Sequence, residues 1–526
     1  MKPLPIGIQS FADLRKNGYL YVDKTEDIYR MITSGKTYFL SRPRRFGKSL
    51  LLSTLEAIFK GKKELFEGLY IDDKMNWESH PVIKIDWSKI KHTSSQEMEV
   101  DMSDYLKGVA ENYQILLTRE YASGKFDELI VRLHEKFGKQ VVILVDEYDM
   151  PILDALKKPD VVNDVRGFLQ SFYQIIKAND DHLRFVFLTG VSKFAKVSVF
   201  SGLNNPDDIT MDDKYASICG YTQEELTSYF SEHITDFALS EKVSESEIVE
   251  SIRGWYNGFS WDGRTFVYNP FSTLILFNKK RFSDYWFASG TPTFLIDLIR
   301  ERNDVKLLLE STQIQASGFD SFEPAAIDTK LLLFQTGYLT VKSVARSRFG
   351  EEVVYTLDVP NREVRQALMT HFTAAYTAFP LSDTAPMRER MLGQLLDGDA
   401  DAFERAVQEM FARIPYQLHI PREAYYHSML LLWLNLLGFD VMGEIPTDKG
   451  RIDAVWTWED RVVIAEIKYA GKGSCETLID AALTQIKKNR YHERYAGENR
   501  RIAFLAIAFA GKKIACRMEE VQNQLL

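Results

Sequence analysis

Cysteine is scarce in this chain: Cys219, Cys475 and Cys516 stand far apart in 526 residues, with no CxxC pair. That usage excludes a disulfide framework and a cysteine-rich zinc site. Long apolar runs are missing too, so no segment is expected to span a bilayer. The first residues, MKPLPIGIQSFADLRKNGYLYVDKT, break their short apolar stretches with charge and form no signal-peptide core. These absences lead to the expectation of a reducing, cytoplasmic setting with no membrane partner. Positive charge is not in excess either. A formal net charge of -9 argues against a uniformly basic coat for nucleic acid, while leaving room for a local basic surface. Internal repeats and low-complexity tracts are also lacking.

What is present is a globular composition, 45% hydrophobic and 26% charged, in a chain too long for one ordinary core, so two or three domains are expected. Residues 1–220 alternate helical patterns with β-branched or aromatic runs at 36–41, 81–88, 140–149 and 183–190. Such alternation predicts an α/β domain with a largely parallel sheet. Residues 221–298 read as a helical extension of that module, interrupted by RGWYNGFSWDGRTFVYNPFS, a compact hairpin or loop. Residues 299–375 read as a helical region containing a helix-plus-hairpin unit, expected to be a winged helix, and 376–420 as a helical connector. A second α/β block fills 421–526: a helix, a strand-rich core, another helix and a final strand, RIAFLAIAFA.

The strongest local motif is YFLSRPRRFGKSLLLSTLEAIF, an apolar strand, a short loop, Gly-Lys-Ser and a helical run. A phosphate-binding loop needs this order, because backbone N–H groups and the helix N-terminus face the phosphates, the lysine reaches their far end and the hydroxyl holds magnesium. Those roles fall on Gly47, Lys48 and Ser49. Arg42 stands where the general pattern has its first glycine. The partner motif is QVVILVDEYDMP, a strand ending in Asp146 and Glu147, which assigns Asp146 to the metal and Glu147 to the attacking water. Asp149 either reinforces this site or caps the next turn. Thr189 and Ser192, in LTGVSKF, either sense the terminal phosphate or satisfy strand-end backbone groups. Arg44, Arg45 and Arg166 are candidates for transition-state charge that spacing does not choose among. Tyr19, Tyr21 and Asp23 read as packing ahead of the sheet.

Near the C-terminus, TDKGRIDAVWTWEDRVVIAEIKYAG puts Glu466 and Lys468 on one strand face and Asp453 on the strand before it. Two carboxylates with a lysine suit a Mg2+ or Mn2+ ion and the hydrolysis of a phosphodiester. Gly450 and Arg451 are placed to shape the entrance. Gln485, Lys487, Lys488 and Arg490 share the following helix, whose basic face either contacts a phosphate backbone or is simply solvated. Glu423 either completes the metal site or favours a helix N-terminus. His427 reads as packing rather than ligation.

Taken jointly, the stretches PIGIQSFADLRKNGYLYVDKT, YFLSRPRRFGKSLLLSTLEAIFKGKKELFEGLYI, VVILVDEYDMPI, LTGVSKF, YNPFS, YWFASGTPTFL, GRIDAVW and EIKYAG resemble a bacterial AAA-ATPase-like family with a C-terminal PD-(D/E)xK nuclease-superfamily domain. The resemblance implies a P-loop NTPase sheet and a restriction-endonuclease-like C-terminal fold. It also implies ATP and Mg2+ at Lys48, Ser49, Asp146 and Glu147. Asp453, Glu466 and Lys468 become the nuclease core, with Gln485 in support. Ile452 stands where the superfamily name has proline. Related ATPases often complete their sites between subunits, so the resemblance leaves room for a homo-oligomer. The resulting expectation is ATP hydrolysis coupled to metal-dependent cleavage of nucleic acid, DNA before RNA. The competing expectation is an ATP-driven switch whose C-terminal domain binds nucleic acid or protein without cutting.

Overall fold

The computed structural model describes residues 1–91, 93–155, 159–193, 206–288, 299, 311–319, 328–346, 352–377, 386, 389–390, 393, 399–412, 422–436, 440–447, 450–458, 461–471, 473–495, 501–510 and 513–521. The chain divides into two compact units, one of residues 1–289 with 312–363, the other of 290–311 with 364–526. Among the described residues no helix is long and apolar enough to cross a membrane.

The first unit is built on five parallel strands: β1 (Thr37–Ser41), β2 (Val82–Asp86), β3 (Val141–Asp146), β4 (Leu183–Gly190) and the short β5 (Asp207–Asp208), in the order β2-β3-β4-β1-β5. The four long strands fall where the apolar runs predict them. Every residue of β3 is buried, as a central parallel strand covered on both faces requires. Helices Ser95–Asn112, Ala122–Phe137 and Pro159–Ala178 cover one face, with Phe126 stacked on Phe172 at 4.6 Å inside one continuous core.

Residues 221–288 belong to this unit because they share a second core with the N-terminal arm, where Leu20 and Val22 pack with Phe230, Phe237, Tyr256 and Tyr268. Two helices there start at capping boxes, Thr222 with Glu225 and Ser244 with Glu247, each satisfying orphan N–H groups at both ends of the box. The aromatic segment after Tyr256 closes as a loop through the bridges Phe259–Val267 and Tyr221–Tyr268. A three-stranded antiparallel sheet joins β6 (Thr312–Gln315), β7 (Thr340–Arg346) and β8 (Val353–Asp358) in the order β6-β8-β7, with helix Thr329–Thr336 between β6 and β7 in the chain. The expected hairpin is therefore β7–β8. Position 376–398 of the expected connector lies largely outside the described residues.

The second unit carries the sheet β13-β12-β11-β10-β9. Its strands are β9 (Asp440–Thr447), β10 (Gly450–Trp458), β11 (Arg461–Ala470), β12 (Arg501–Ala510) and β13 (Lys513–Glu520). Only β11 and β12 run parallel, as two strands joined through the helix Cys475–Lys488 must. That helix buries Ile479, Leu483 and Ile486 against Val462, Ile464 and Phe504. Helix Glu423–Leu436 packs on the opposite face through Tyr426, whose ring stacks on Tyr469 at 4.9 Å.

Candidate functional sites

The chain leaves β1 at Ser41 and turns through residues 42–47 into helix Lys48–Phe59. Gly47 and Arg45 take left-handed backbone, φ 90° and 69°, free for glycine and strained for arginine unless neighbours hold it. Those neighbours come from the aromatic segment. Phe46 is buried edge-on against Phe259 and Trp261, with ring centroids 4.8 and 5.6 Å away. The Trp286 indole N–H donates to the Arg44 carbonyl at 3.0 Å. Lys48 is buried, its Nζ 3.0 and 3.1 Å from the carbonyl oxygens of Arg42 and Pro43, so the loop curls around the ammonium. Arg44 and Arg45 remain exposed, with Arg45 4.8 Å over the Phe271 ring.

Arg42 explains the departure from the general loop pattern. It is fully buried, donates to the carbonyls of Ser41, Thr210 and Tyr215, and lies 3.8 Å over Trp261. Burial pulls its pKa down to about 10. The position does not adopt the positive φ found at Arg45 and Gly47, so nothing in the backbone demands glycine there.

The strand order sets β4 between β1 and β3, bringing Asp146 to the loop. Asp146 is buried and hydrogen-bonded by Ser49. Burial raises its pKa, with the charges of Glu147 and Asp86 adding to the rise and Ser49 and Lys48 opposing it. A buried carboxylate held up in this way beside a hydroxyl fits a divalent cation, whose charge would lower it again. Glu147 follows in left-handed backbone, φ 51°, uncommon for a residue of this type. Asp86 is in register with Asp146 on β2 but caps Ser88. Sequence reading passed over it for want of a motif.

Asp149 is fully buried and accepts hydrogen bonds from the Val191 and Ser192 N–H groups and from the Ser192 hydroxyl at 2.6 Å. Burial, then the Glu147 charge, push its pKa up to about 6. The Thr189 hydroxyl donates to the Leu40 carbonyl at 2.8 Å. All three side chains thus brace the strand ends that carry the site. Arg166 sits half-buried on helix Pro159–Ala178. Tyr21 is buried, while Asp23 caps Thr25 and accepts the Tyr70 N–H.

In the second unit the register pairing Ala454 with Ala465 carries Asp453 to Glu466. Asp453 Oδ2 accepts the Ile467 N–H at 2.8 Å. Glu466 is fully buried, with Oε1 2.7 Å from Lys468 Nζ and Oε2 without a partner among the described residues. Burial and the Asp453 charge push Glu466 up to about 7. Burial works to lower Lys468, but its hydrogen bond and charge contact with Glu466 leave it raised. An orphaned carboxylate oxygen facing a second carboxylate is what a hard divalent cation satisfies. Among the described residues no group of three or more His, Cys, Asp or Glu gathers as a metal cage. Asp453 and Glu466 are the two carboxylates the fold brings together here, a donor set that fits a cation keeping several waters, as Mg2+ commonly does.

Glu423, exposed at the start of its helix, accepts the Tyr469 N–H at 3.4 Å and its charge acts on Lys468. His427 Nε2 donates to the Asp453 carbonyl at 2.8 Å, fixing backbone rather than offering a ligand. Two residues missed in the sequence support the exposed Arg451: the Tyr491 hydroxyl donates to its carbonyl at 2.9 Å and receives Asn489 Nδ2 at 2.8 Å. A Cβ at Gly450 would come within 2.9 Å of that hydroxyl, which accounts for the glycine. The only hint in the sequence is their place just after Gln485, half-buried on helix Cys475–Lys488. On that helix Lys487 pairs with Glu519 at 2.5 Å and Lys488 is exposed, whereas Arg490, expected on the same helix, lies past its end in left-handed backbone and pairs with Glu493 at 3.1 Å.

Comparison with known proteins agrees with this division. A family model described as "Predicted AAA-ATPase" matches residues 5–200, and one described as "PD-(D/E)XK nuclease superfamily" matches residues 421–519. A relative from Azotobacter chroococcum mcd 1, described as "Uncharacterized protein in vnfD 5'region", is 39% identical over 520 residues, covering 97% of this chain and 96% of that protein.

Proposed function

Because this chain belongs to the family that joins an AAA-ATPase-like domain to a PD-(D/E)XK nuclease-superfamily domain, we propose that it hydrolyses ATP and couples this to metal-dependent cleavage of nucleic acid, DNA in the first instance. The observation that carries the reading is Glu466, a buried carboxylate with one oxygen unpartnered, set against Asp453 and paired with Lys468. Lys468 satisfies one oxygen only, and the other is costly to bury without a partner of its own.

In the first unit, Lys48 and the Gly47 backbone hold the triphosphate, Ser49 and Asp146 hold Mg2+, and Glu147 orients water. Arg44 and Arg45, exposed on the loop, offset phosphate charge. Thr189, Ser192 and Asp149 act as positioning residues, Asp149 with Ser192 keeping β3 and β4 in step and Thr189 holding β4 to β1. In the second unit, Asp453 and Glu466 hold Mg2+ or Mn2+, which when bound polarises the phosphoryl oxygen and lowers the pKa of water. Lys468 stabilises charge building on the phosphate, and Glu423 orients Lys468. Arg451 and Gln485 line the approach. The helix Thr329–Thr336 with the β7–β8 hairpin is taken as a winged-helix module.

The test is cleavage of linear, supercoiled and single-stranded DNA with Mg2+ or Mn2+, with and without ATP. Lys468→Ala is expected to lower cleavage by at least about 100-fold, the scale for losing a transition-state charge contact. Lys48→Ala is expected to remove the ATP dependence. ATP turnover without cleavage of any DNA or RNA would establish the binding switch instead.

A further inference from the structure

The two exposed arginines of the phosphate loop are held from outside it. The Trp286 indole N–H donates to the Arg44 carbonyl at 3.0 Å, and the Arg45 guanidinium lies 4.8 Å over the Phe271 ring. Trp286 is itself wedged, its ring 6.0 Å from that of Phe259 and 5.2 Å from that of Tyr338. Gly337, at φ 90°, lets this wall close on the loop, because a Cβ there would come within 2.8 Å of the Pro43 ring and 3.2 Å of Trp286. The left-handed backbone of Arg45, φ 69°, is a strained state that persists only where neighbours hold it.

The segments that carry Trp286 and Phe271 meet at one buried carboxyl. Ser272, next to Phe271 on helix Pro270–Lys279, donates its hydroxyl to the two oxygens of Glu363 at 2.8 and 2.9 Å. The Trp286 backbone N–H donates to the same group at 2.8 Å. Asn269 caps the Ser272 N–H at 3.0 Å, so the start of that helix is fixed from two sides. Glu363 is fully buried, and an apolar side chain would fill its place without the cost of burying a carboxyl. What the carboxyl adds is direction. It sets the Phe271 helix and the Trp286 backbone relative to each other, and through them the two points at which the arginine segment of the loop is held.

We propose that Trp286 and Glu363 are positioning residues for ATP hydrolysis, holding Arg44 and Arg45 in one arrangement towards the triphosphate. This rests on the reading of Lys48 and Ser49 as a triphosphate site. Exposed arginine side chains are rich in rotamers, and fixing them only as the reaction proceeds adds to its barrier. A loop backbone set in advance removes part of that cost. The Lys48 ammonium is held separately, by the Arg42 and Pro43 carbonyls, so the ground-state grip on the phosphates does not depend on the indole bond. Loss of that bond therefore acts on the chemical step more than on binding.

Steady-state hydrolysis of MgATP by the full chain tests this. Trp286→Phe keeps a ring between Phe259 and Tyr338 and removes the indole donor. It is expected to lower kcat by about tenfold and to leave KM within about threefold. In a chain that already carries Arg44→Ala and Arg45→Ala, the same substitution is expected to change kcat by less than about twofold, because the groups it acts through are gone. Glu363→Ala is expected to reproduce the fall in kcat. Glu363→Gln, which keeps an acceptor for the Trp286 N–H and can donate to the Ser272 hydroxyl, is expected to recover most of it. A Trp286→Phe chain with unchanged kcat, a change confined to KM, or an equal loss with and without the two arginines overturns the proposal and leaves the phosphate site standing. Equal losses in Glu363→Ala and Glu363→Gln overturn the part given to Glu363. No ATP turnover by wild type overturns the ATPase reading and this proposal together. Trp286→Phe decides alone if Glu363→Ala fails to fold or the double-alanine chain turns over too slowly to follow.

Discussion

Arg42 illustrates how a single side chain can redefine a motif. Three backbone carbonyls and one indole face accept its guanidinium, so this chain stabilises its loop from inside. Restoring the general pattern with Arg42→Gly is expected to destabilise the first unit, by roughly 3 kcal/mol or more, because buried acceptors lose their donors and a void opens. A melting curve checks this; an unchanged or raised Tm would refute the account. Glu363 makes a second case. It is fully buried, accepts from the Ser272 hydroxyl at 2.8 and 2.9 Å and the Trp286 N–H at 2.8 Å, and burial pushes its pKa up to about 8. A carboxyl raised on folding binds its proton more tightly in the native state. Its contribution is therefore whole below the unfolded pKa, near 4.5, and is lost as pH rises through about 8. Glu363→Gln should flatten the fall in Tm between pH 6 and pH 9, recovering up to a few kcal/mol at the alkaline end. Parallel curves for the two proteins would count against a titrating Glu363.

At the scale of elements, both sites depend on strand ends locked by neighbours that carry no chemistry themselves. The start of β10 is held by Tyr491 and Asn489 through the Arg451 carbonyl. Tyr491→Phe deletes one hydrogen bond and should cost about 1 kcal/mol of stability. Cleavage should fall by about tenfold, because Asp453 lies two residues further along the loosened strand. Unaltered cleavage would show that β10 needs no such anchor. Most of the first sheet could be read directly, since its strands are continuous apolar runs bounded by charge or glycine. β13 escaped reading because KIACRMEE is half-exposed and mixes charge with small residues, the composition of an edge strand with no clean alternation.

For the whole molecule, two compact units with separate cores should respond separately to their ligands. ATP with Mg2+ is expected to raise the melting transition of the first unit, and Mn2+ alone that of the second, each by mass action on the native state. Lys48→Ala should cancel only the first shift and Glu466→Gln only the second. Differential scanning calorimetry resolves this, and a single shift common to both ligands would contradict independent sites.

The side chains that the fold brings together, Ser49 with Asp146 and Asp453 with Glu466 and Lys468, were named from the sequence as candidates, because strand-loop-helix with Gly-Lys-Ser, a strand closing on Asp146–Glu147 and the Asp453/Glu466/Lys468 alternation are local patterns. What spacing could not decide was which alternative each ambiguous side chain takes. Thr189, Ser192 and Asp149 became a brace, and His427 a backbone donor, through partners 26 to 149 residues away. The inward turn of Arg42 and the aromatic clamp on Phe46 likewise exist only once distant segments pack. Chemistry is carried by residue type and short-range order; hydrogen-bond partners are set by burial, which depends on the whole fold.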